Sequence, residues 1–177
     1  FNLEKEELVA VILERHNKVK EGHAVRKTNR INHVPVGKNL LGRVIDPQGQ
    51  PLDGIGEIQY EAHNPLAVVP PGVIERKPVD KPLQTGYMMI DATVPIGHGQ
   101  RELIIGDRQT GKTTLAIDTI INQKNKNVVC VYVAIGQKNS SVAKIKQTLE
   151  QHQAMEYTII VNAPASSPSA LQYYAPY

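Results

Sequence analysis

Glu102-Leu103-Ile104-Ile105 runs straight into Gly106-Asp107-Arg108-Gln109-Thr110-Gly111-Lys112-Thr113, and residues 112–122 follow with Leu115, Ala116, Ile117, Ile120 and Ile121 on one helical side. A short apolar run, a loop bounded by glycines and a helical period, in that order, predict a buried strand, a turn and a helix. The spacing G-x-x-x-x-G-K-T is that of a phosphate-binding loop, and strand before and helix after are the context the motif requires. With glycine near 7% of average usage, the four defined positions recur by chance in roughly one chain of this length in a hundred. The strand and helix context lowers that further, so a glycine turn capping an ordinary helix is the weaker reading.

The chemistry follows from the residue types. Gly106 and Gly111 allow backbone conformations that turn successive N–H groups inward, and the helix N-terminus adds partial positive charge, so together they cradle phosphate oxygens. Lys112 supplies a point charge for the β and γ phosphates, and the Thr113 hydroxyl is placed to ligate magnesium. The expected ligand is a magnesium nucleotide, ATP or ADP, held by residues 106–113 together with Thr114. Arg108 and Gln109 can reach phosphate or a neighbouring subunit. Asp107 suits a hydrogen-bonded structural role, because like charges repel.

Downstream, the apolar run 128–135 reads as a second buried strand, residues 141–152 as a helix, and 157–161 as a third strand. Strands alternating with helices argue a parallel sheet covered on both faces. A phosphate-loop enzyme also needs a carboxylate at the end of a neighbouring strand for the magnesium water shell. Neither strand supplies one: the first runs into Gly136-Gln137 and the second into Asn162-Ala163-Pro164. With three candidate parallel strands and an exposed apolar edge, the chain reads as truncated.

Upstream the text changes. Runs at 8–13, 31–36 and 40–45 are short and β-like, each bounded by Gly, Asn or Pro, and Asp46-Pro47-Gln48-Gly49-Gln50-Pro51 is a strong turn signal. This predicts part of a small all-β barrel. Pro65, Pro70, Pro71, Pro78 and Pro82 then exclude regular helix or central strand. The expected division is part of an N-terminal β-barrel over 1–60, a proline-rich connector over 61–85, and the first part of a nucleotide-binding domain over 86–177. The fold class is therefore an α/β P-loop NTPase, a parallel sheet with flanking helices, preceded by part of a small all-β barrel.

Composition narrows the function. A net charge of +3, with Lys and Arg scattered among Asp and Glu, argues against nucleic acid as a partner. No run approaches the roughly eighteen apolar residues of a membrane span. One cysteine, Cys130, inside an apolar run, gives no disulfide framework and points to a reducing compartment. The six histidines are never paired at metal-ligand spacing.

Residues 86–177 resemble the α subunit of the F-type ATP synthase. The residues that carry the resemblance are Val94-Pro95-Ile96-Gly97, Gly99-Gln100-Arg101-Glu102 continuing through the phosphate loop, and Ala116-Ile117-Asp118-Thr119-Ile120-Ile121-Asn122-Gln123. Tyr132-Val133-Ala134-Ile135-Gly136-Gln137-Lys138, Leu171-Gln172-Tyr173 and Ala175-Pro176-Tyr177 extend it. Val34-Pro35-Val36-Gly37, Leu41-Gly42-Arg43-Val44 and Asp53-Gly54 carry it into the front part. Met88 and Met89 stand where the pattern has a Lys-Ala pair, His98 where it has arginine, and Asn29 where it has glycine.

The resemblance implies a barrel, a central nucleotide-binding domain and a C-terminal helical domain, of which this chain would cover the first and part of the second. It implies a non-catalytic nucleotide site with no catalytic residue of its own. Partners would be a homologous catalytic β subunit in an alternating hexameric ring and a central-stalk subunit. The complex would be peripheral to the cytoplasmic face of a bacterial plasma membrane or to an organelle inner membrane, touching the membrane only as a complex. Catalytic relatives carry glutamate where this chain has Gln137, so Gln137 is a candidate site residue. Two alternatives stay open: an autonomous catalytic ATPase of the secretion or vacuolar type, and a hexameric RNA helicase. The second needs aromatic stacking platforms, and the chain has no Trp, one Phe and no Tyr before Gly54.

Overall fold

A computed structural model describes residues 10–13, 18–27, 32–66 and 68–177. At its centre is a three-stranded parallel sheet of β2 (Val44–Ile45), β7 (Thr158–Ala163) and β6 (Cys130–Ile135), in that order. β6 pairs β7 over its full length, Cys130 opposite Thr158 through Ile135 opposite Ala163. Between them runs α3 (Asn139–Gln151). It buries Val142, Ile145 and Leu149, a three- and four-residue spacing that lines one helical stripe.

Two clusters pack against the two faces of the sheet. On one, Ala134 and Ile160 meet Ile117 of α2 (Lys112–Ile121) and the buried stripe of α3. Leu149 and Ile160 have no exposed surface. On the other, Ile159 and Val161 pack with Ile45 of β2 against Leu40, from a single 3-10 turn, and Ile58, from irregular chain, with no α-helix among them. The expectation of helical cover on both faces therefore holds for one face only.

The run 102–105, expected as a buried strand, is not one. Residues 101–106 carry no regular structure, and Leu103 and Ile105 are more than 80% exposed. A strand exists only as half of a ladder, and no backbone bond joins Leu103, Ile104 or Ile105 to any described residue. β6 ends the sheet with an unpaired edge, on which Val131 and Ile135 are exposed.

The run 40–45, read as a piece of barrel, ends instead in the parallel sheet. Val44 and Ile45 pair Ile160 and Val161. A two-residue strand buried on both faces shows no alternation by which a sequence could place it. Arg43 and Asp53 hold it there: Nε donates to Oδ2 at 2.6 Å, Nη2 to Oδ1 at 2.9 Å, and the Val44 amide to Oδ2 at 3.1 Å. The Asp53 side chain has no exposed surface, and the Arg43 guanidinium holds its carboxyl well below the usual carboxylate range.

The front residues form an antiparallel ribbon of β1 (His33–Val36) and β3 (Ala62–Pro65). No closed barrel forms among the described residues. Of the run 8–13, residues 8 and 9 lie outside the described residues and the rest carry no strand; residue 31 and Asn29 also lie outside. The turn at 46–51 forms as expected, with Asp46 Oδ1 accepting from the amides of Gln48 at 2.9 Å and Gln50 at 2.7 Å. A second small ribbon joins β4 (Pro82–Leu83) to β5 (Ile96–Gly97), flanking α1 (Met88–Thr93). Within the strands, prolines occur only in these two-stranded ribbons, as Pro35, Pro65 and Pro82, where one edge needs no donor.

Candidate functional site

The helix predicted after the phosphate loop begins at Lys112, and its geometry gives separate reasons for the two glycines. Gly111 has φ +89°, left-handed backbone that a side chain adopts only at a cost. Gly106 is not left-handed; a Cβ there would meet the Thr110 hydroxyl at 2.9 Å, so its requirement is space. Gln109 also has positive φ, 64°, which bends the loop back over itself.

Lys112 folds into the concavity that results. Its ammonium donates to the Gly106 carbonyl at 2.7 Å and to the Asp107 carbonyl. The Asp107 backbone carbonyl also accepts from Thr110 Oγ1 at 2.9 Å. The first intrahelical bond runs from Leu115 N–H to the Gly111 carbonyl at 2.9 Å. The amides of Lys112, Thr113 and Thr114 therefore have no acceptor among the described residues, and Gly111 makes no side-chain cap. Three free donors at a helix N-terminus beside an ammonium group form an anion cradle. The Thr113 hydroxyl is exposed and free of any described partner, available to a cation. Arg108 and Gln109 are exposed on the loop.

A cleft of about 520 Å³ opens on this loop. Gly106, Thr110, Gly111, Lys112 and Thr114 line its polar end, while Ile104, Ile105, Leu115 and Tyr87 line the other. Tyr87 was not legible as a site residue, since it lies outside the motif and in no periodic run. Its hydroxyl donates to Asp118 of α2, which pushes the phenol pKa upward.

Gln137 does not line this cleft. It follows β6, where its side-chain amide donates to the Tyr132 hydroxyl at 3.2 Å and its carbonyl accepts from Ala165 N–H at 3.2 Å. No group of three His, Cys, Asp or Glu side chains among the described residues could hold a metal ion. The free amides and the Lys112 ammonium are donors of the kind a phosphate chain accepts from, and Thr113, which does not itself line the cleft, offers a hydroxyl oxygen beside them.

The nucleotide-binding domain of the ATP synthase alpha/beta family matches residues 86–177, the segment that contains the loop and the cleft. The chain belongs to this family. Across all 177 residues it is 58% identical to the ATP synthase subunit alpha of Caldanaerobacter subterraneus subsp. tengcongensis. It is 59% identical to that of Acetivibrio thermocellus and 56% identical to that of Aquifex aeolicus. In each comparison the whole chain is covered, but it spans only 35% of the relative's length. As a member of this family it carries a nucleotide-binding domain, and no helix among the described residues is long and apolar enough to cross a membrane.

Proposed function

We propose that the chain is the nucleotide-holding part of an F-type ATP synthase alpha subunit, binding magnesium ATP or ADP in the loop 106–113 without turning it over. The observation that carries this is the set of free amides at Lys112, Thr113 and Thr114 beside the Lys112 ammonium, in a chain 56–59% identical to proteins named ATP synthase subunit alpha. Lys112 would exchange its loop carbonyls for phosphate oxygens, the amides would orient the phosphate chain, and Thr113 would hold magnesium. The ion neutralises phosphate charge when bound. Catalytic relatives carry glutamate at the position of Gln137, which lies outside the cleft and bonds Tyr132; a neutral amide draws a proton from water far less well than a carboxylate, and that resemblance favours retention over hydrolysis.

On this reading, residues 1–60, apart from the Val44–Ile45 strand that joins the parallel sheet, contribute to a barrel, 61–85 connect, and 86–177 begin the nucleotide domain. The subunit alternates with a homologous catalytic subunit around a central stalk, in a complex peripheral to the bacterial plasma membrane or an organelle inner membrane. An occupied site then sets the geometry of the neighbouring catalytic interface.

Titration calorimetry tests the loop. Lys112→Ala is expected to weaken magnesium ATP binding tenfold or more, about 1.5 to 3 kcal/mol for a lost charged hydrogen bond; an unchanged dissociation constant removes the loop from the site. A single-turnover experiment with labelled ATP loaded only in this subunit of the assembled complex tests retention. Release of phosphate at the steady-state rate would show hydrolysis here.

A further inference from the structure

Tyr87 enters the cleft from outside the motif, and the chain around it is built to hold it there. Asp91 organises the turn before it: its carboxylate accepts from the Thr85 amide at 2.9 Å, the Thr85 hydroxyl at 2.7 Å and the Gly86 amide at 3.1 Å. Thr85 is 2% exposed, and its oxygen in turn accepts from the Tyr87 amide at 3.2 Å. The Thr85 side-chain hydrogen bond chiefly holds the Asp91 carboxyl below its ordinary value.

This turn is latched to α2 at two levels. Near the end of the helix, Asn122 Nδ2 and Gln123 Nε2 both donate to the Gln84 carbonyl, at 2.9 and 2.8 Å. Gly86, with φ +89°, lies so close that a Cβ would meet Asn122 at 3.0 Å. One turn and more toward the loop, the Tyr87 hydroxyl donates to Asp118, 31 residues away in sequence. The lower latch alone would leave the first turn of α2 free to rock, whereas two contacts at different heights restrain its axis. That first turn carries Lys112, Thr113 and Thr114.

We infer that Tyr87 is a positioning residue for the phosphate loop: through Asp118 it holds the first two turns of α2 in the orientation that aims the Lys112 ammonium and the free amides into the cleft. The inference rests on the reading of that loop as the nucleotide site. It concerns a hydrogen bond that removes no charge from the cleft, so it acts on geometry.

The test is a double-mutant cycle in the full-length protein, read by magnesium ATP calorimetry and by hydrogen exchange without nucleotide. Tyr87→Phe keeps the ring and loses the donor; Asp118→Asn keeps an acceptor; Asp118→Ala loses it. Tyr87→Phe and Asp118→Ala are each expected to raise the dissociation constant about three- to tenfold, the effect of one hydrogen bond. The double variant should be no worse than either alone, because both remove the same bond. Asp118→Asn should stay within about twofold of the parent, rescuing the contact. In the absence of nucleotide, the hydrogen-bonded amides of residues 115–118 should exchange faster in Tyr87→Phe while that of Leu149 does not. Additive losses, or a lowered melting temperature with unchanged affinity and unchanged exchange at 115–118, would overturn the inference. If Lys112→Ala leaves binding unchanged, the loop reading fails instead, and the exchange result still decides whether Tyr87 restrains α2.

Discussion

Val131-Tyr132-Val133 and Leu103-Ile104-Ile105 are apolar runs of similar length and β-forming composition, yet they end in opposite states. The first lies in β6, each residue opposite a partner in β7, with Tyr132 packed on the core. The second leads into the phosphate loop with its side chains largely in solvent. The difference lies in their neighbours. β6 is followed by a helix that buries Leu149 completely and returns the chain as a parallel strand, whereas residues 102–105 have no ladder partner among the described residues. Apolar character gives a run the capacity to be a strand, and the pairing partner makes it one. The chain thus has a rigid corner, built around the sheet and the Arg43–Asp53 pair, and a phosphate loop shaped mainly by its own residues.

The largest expected effect tests the rigid corner. Asp53→Ala leaves Arg43 without its carboxylate and should destabilise the 177-residue chain by about 3 to 5 kcal/mol, as for a broken buried pair. Urea unfolding measures it; a loss below about 1 kcal/mol would show that the pair does not hold β2. The sign of the pH dependence follows from the depressed Asp53 pKa. Its stabilisation is fully present above the unfolded-state value near 4 and fades as pH falls below it toward the folded value. The gap between parent and Asp53→Ala should therefore be wider at pH 7 than at pH 3.

Next in size, Leu149→Ala should cost about 2 to 5 kcal/mol, the range for truncating a buried leucine. The matching change on the other run, Leu103→Ala, should stay within about 0.5 kcal/mol because nothing packs on an exposed side chain. Equal costs at 103 and 149 would break the comparison and show that residues 102–105 are paired in solution. The smallest effect sharpens the same contrast. Amides of Leu103, Ile104 and Ile105 should exchange with solvent at close to the unprotected rate, while those of Ala134 and Ile160 are protected by their ladder.

Much of this was legible in the text of the chain. The helix after the loop, the turn at 46–51, the two strands flanking α3 and the glycine-bounded turn of residues 106–111 all follow from local rules. Each depends on residues within a few positions of one another. Gly111 is an instance: a left-handed residue between loop and helix is a local requirement that glycine meets. Gly106 is a partial one, because its need for space came from Thr110, nearby in the chain but visible only once the loop had closed.

What only the tertiary structure decided involves partners far apart in the sequence. That Val44 and Ile45 join the parallel sheet depends on β7, more than a hundred residues later, and on Asp53 gripping Arg43. That Tyr87 lines the cleft at the loop depends on Asp118 and on a turn organised by Asp91, none of which the motif contains. That Leu103-Ile104-Ile105 stays unpaired depends on which edges the rest of the chain brings near. A sequence states what each residue can do with its neighbours along the chain; hydrogen-bond ladders, buried ion pairs and cleft walls are made across space, where a single residue's preference is outweighed by the partner it meets.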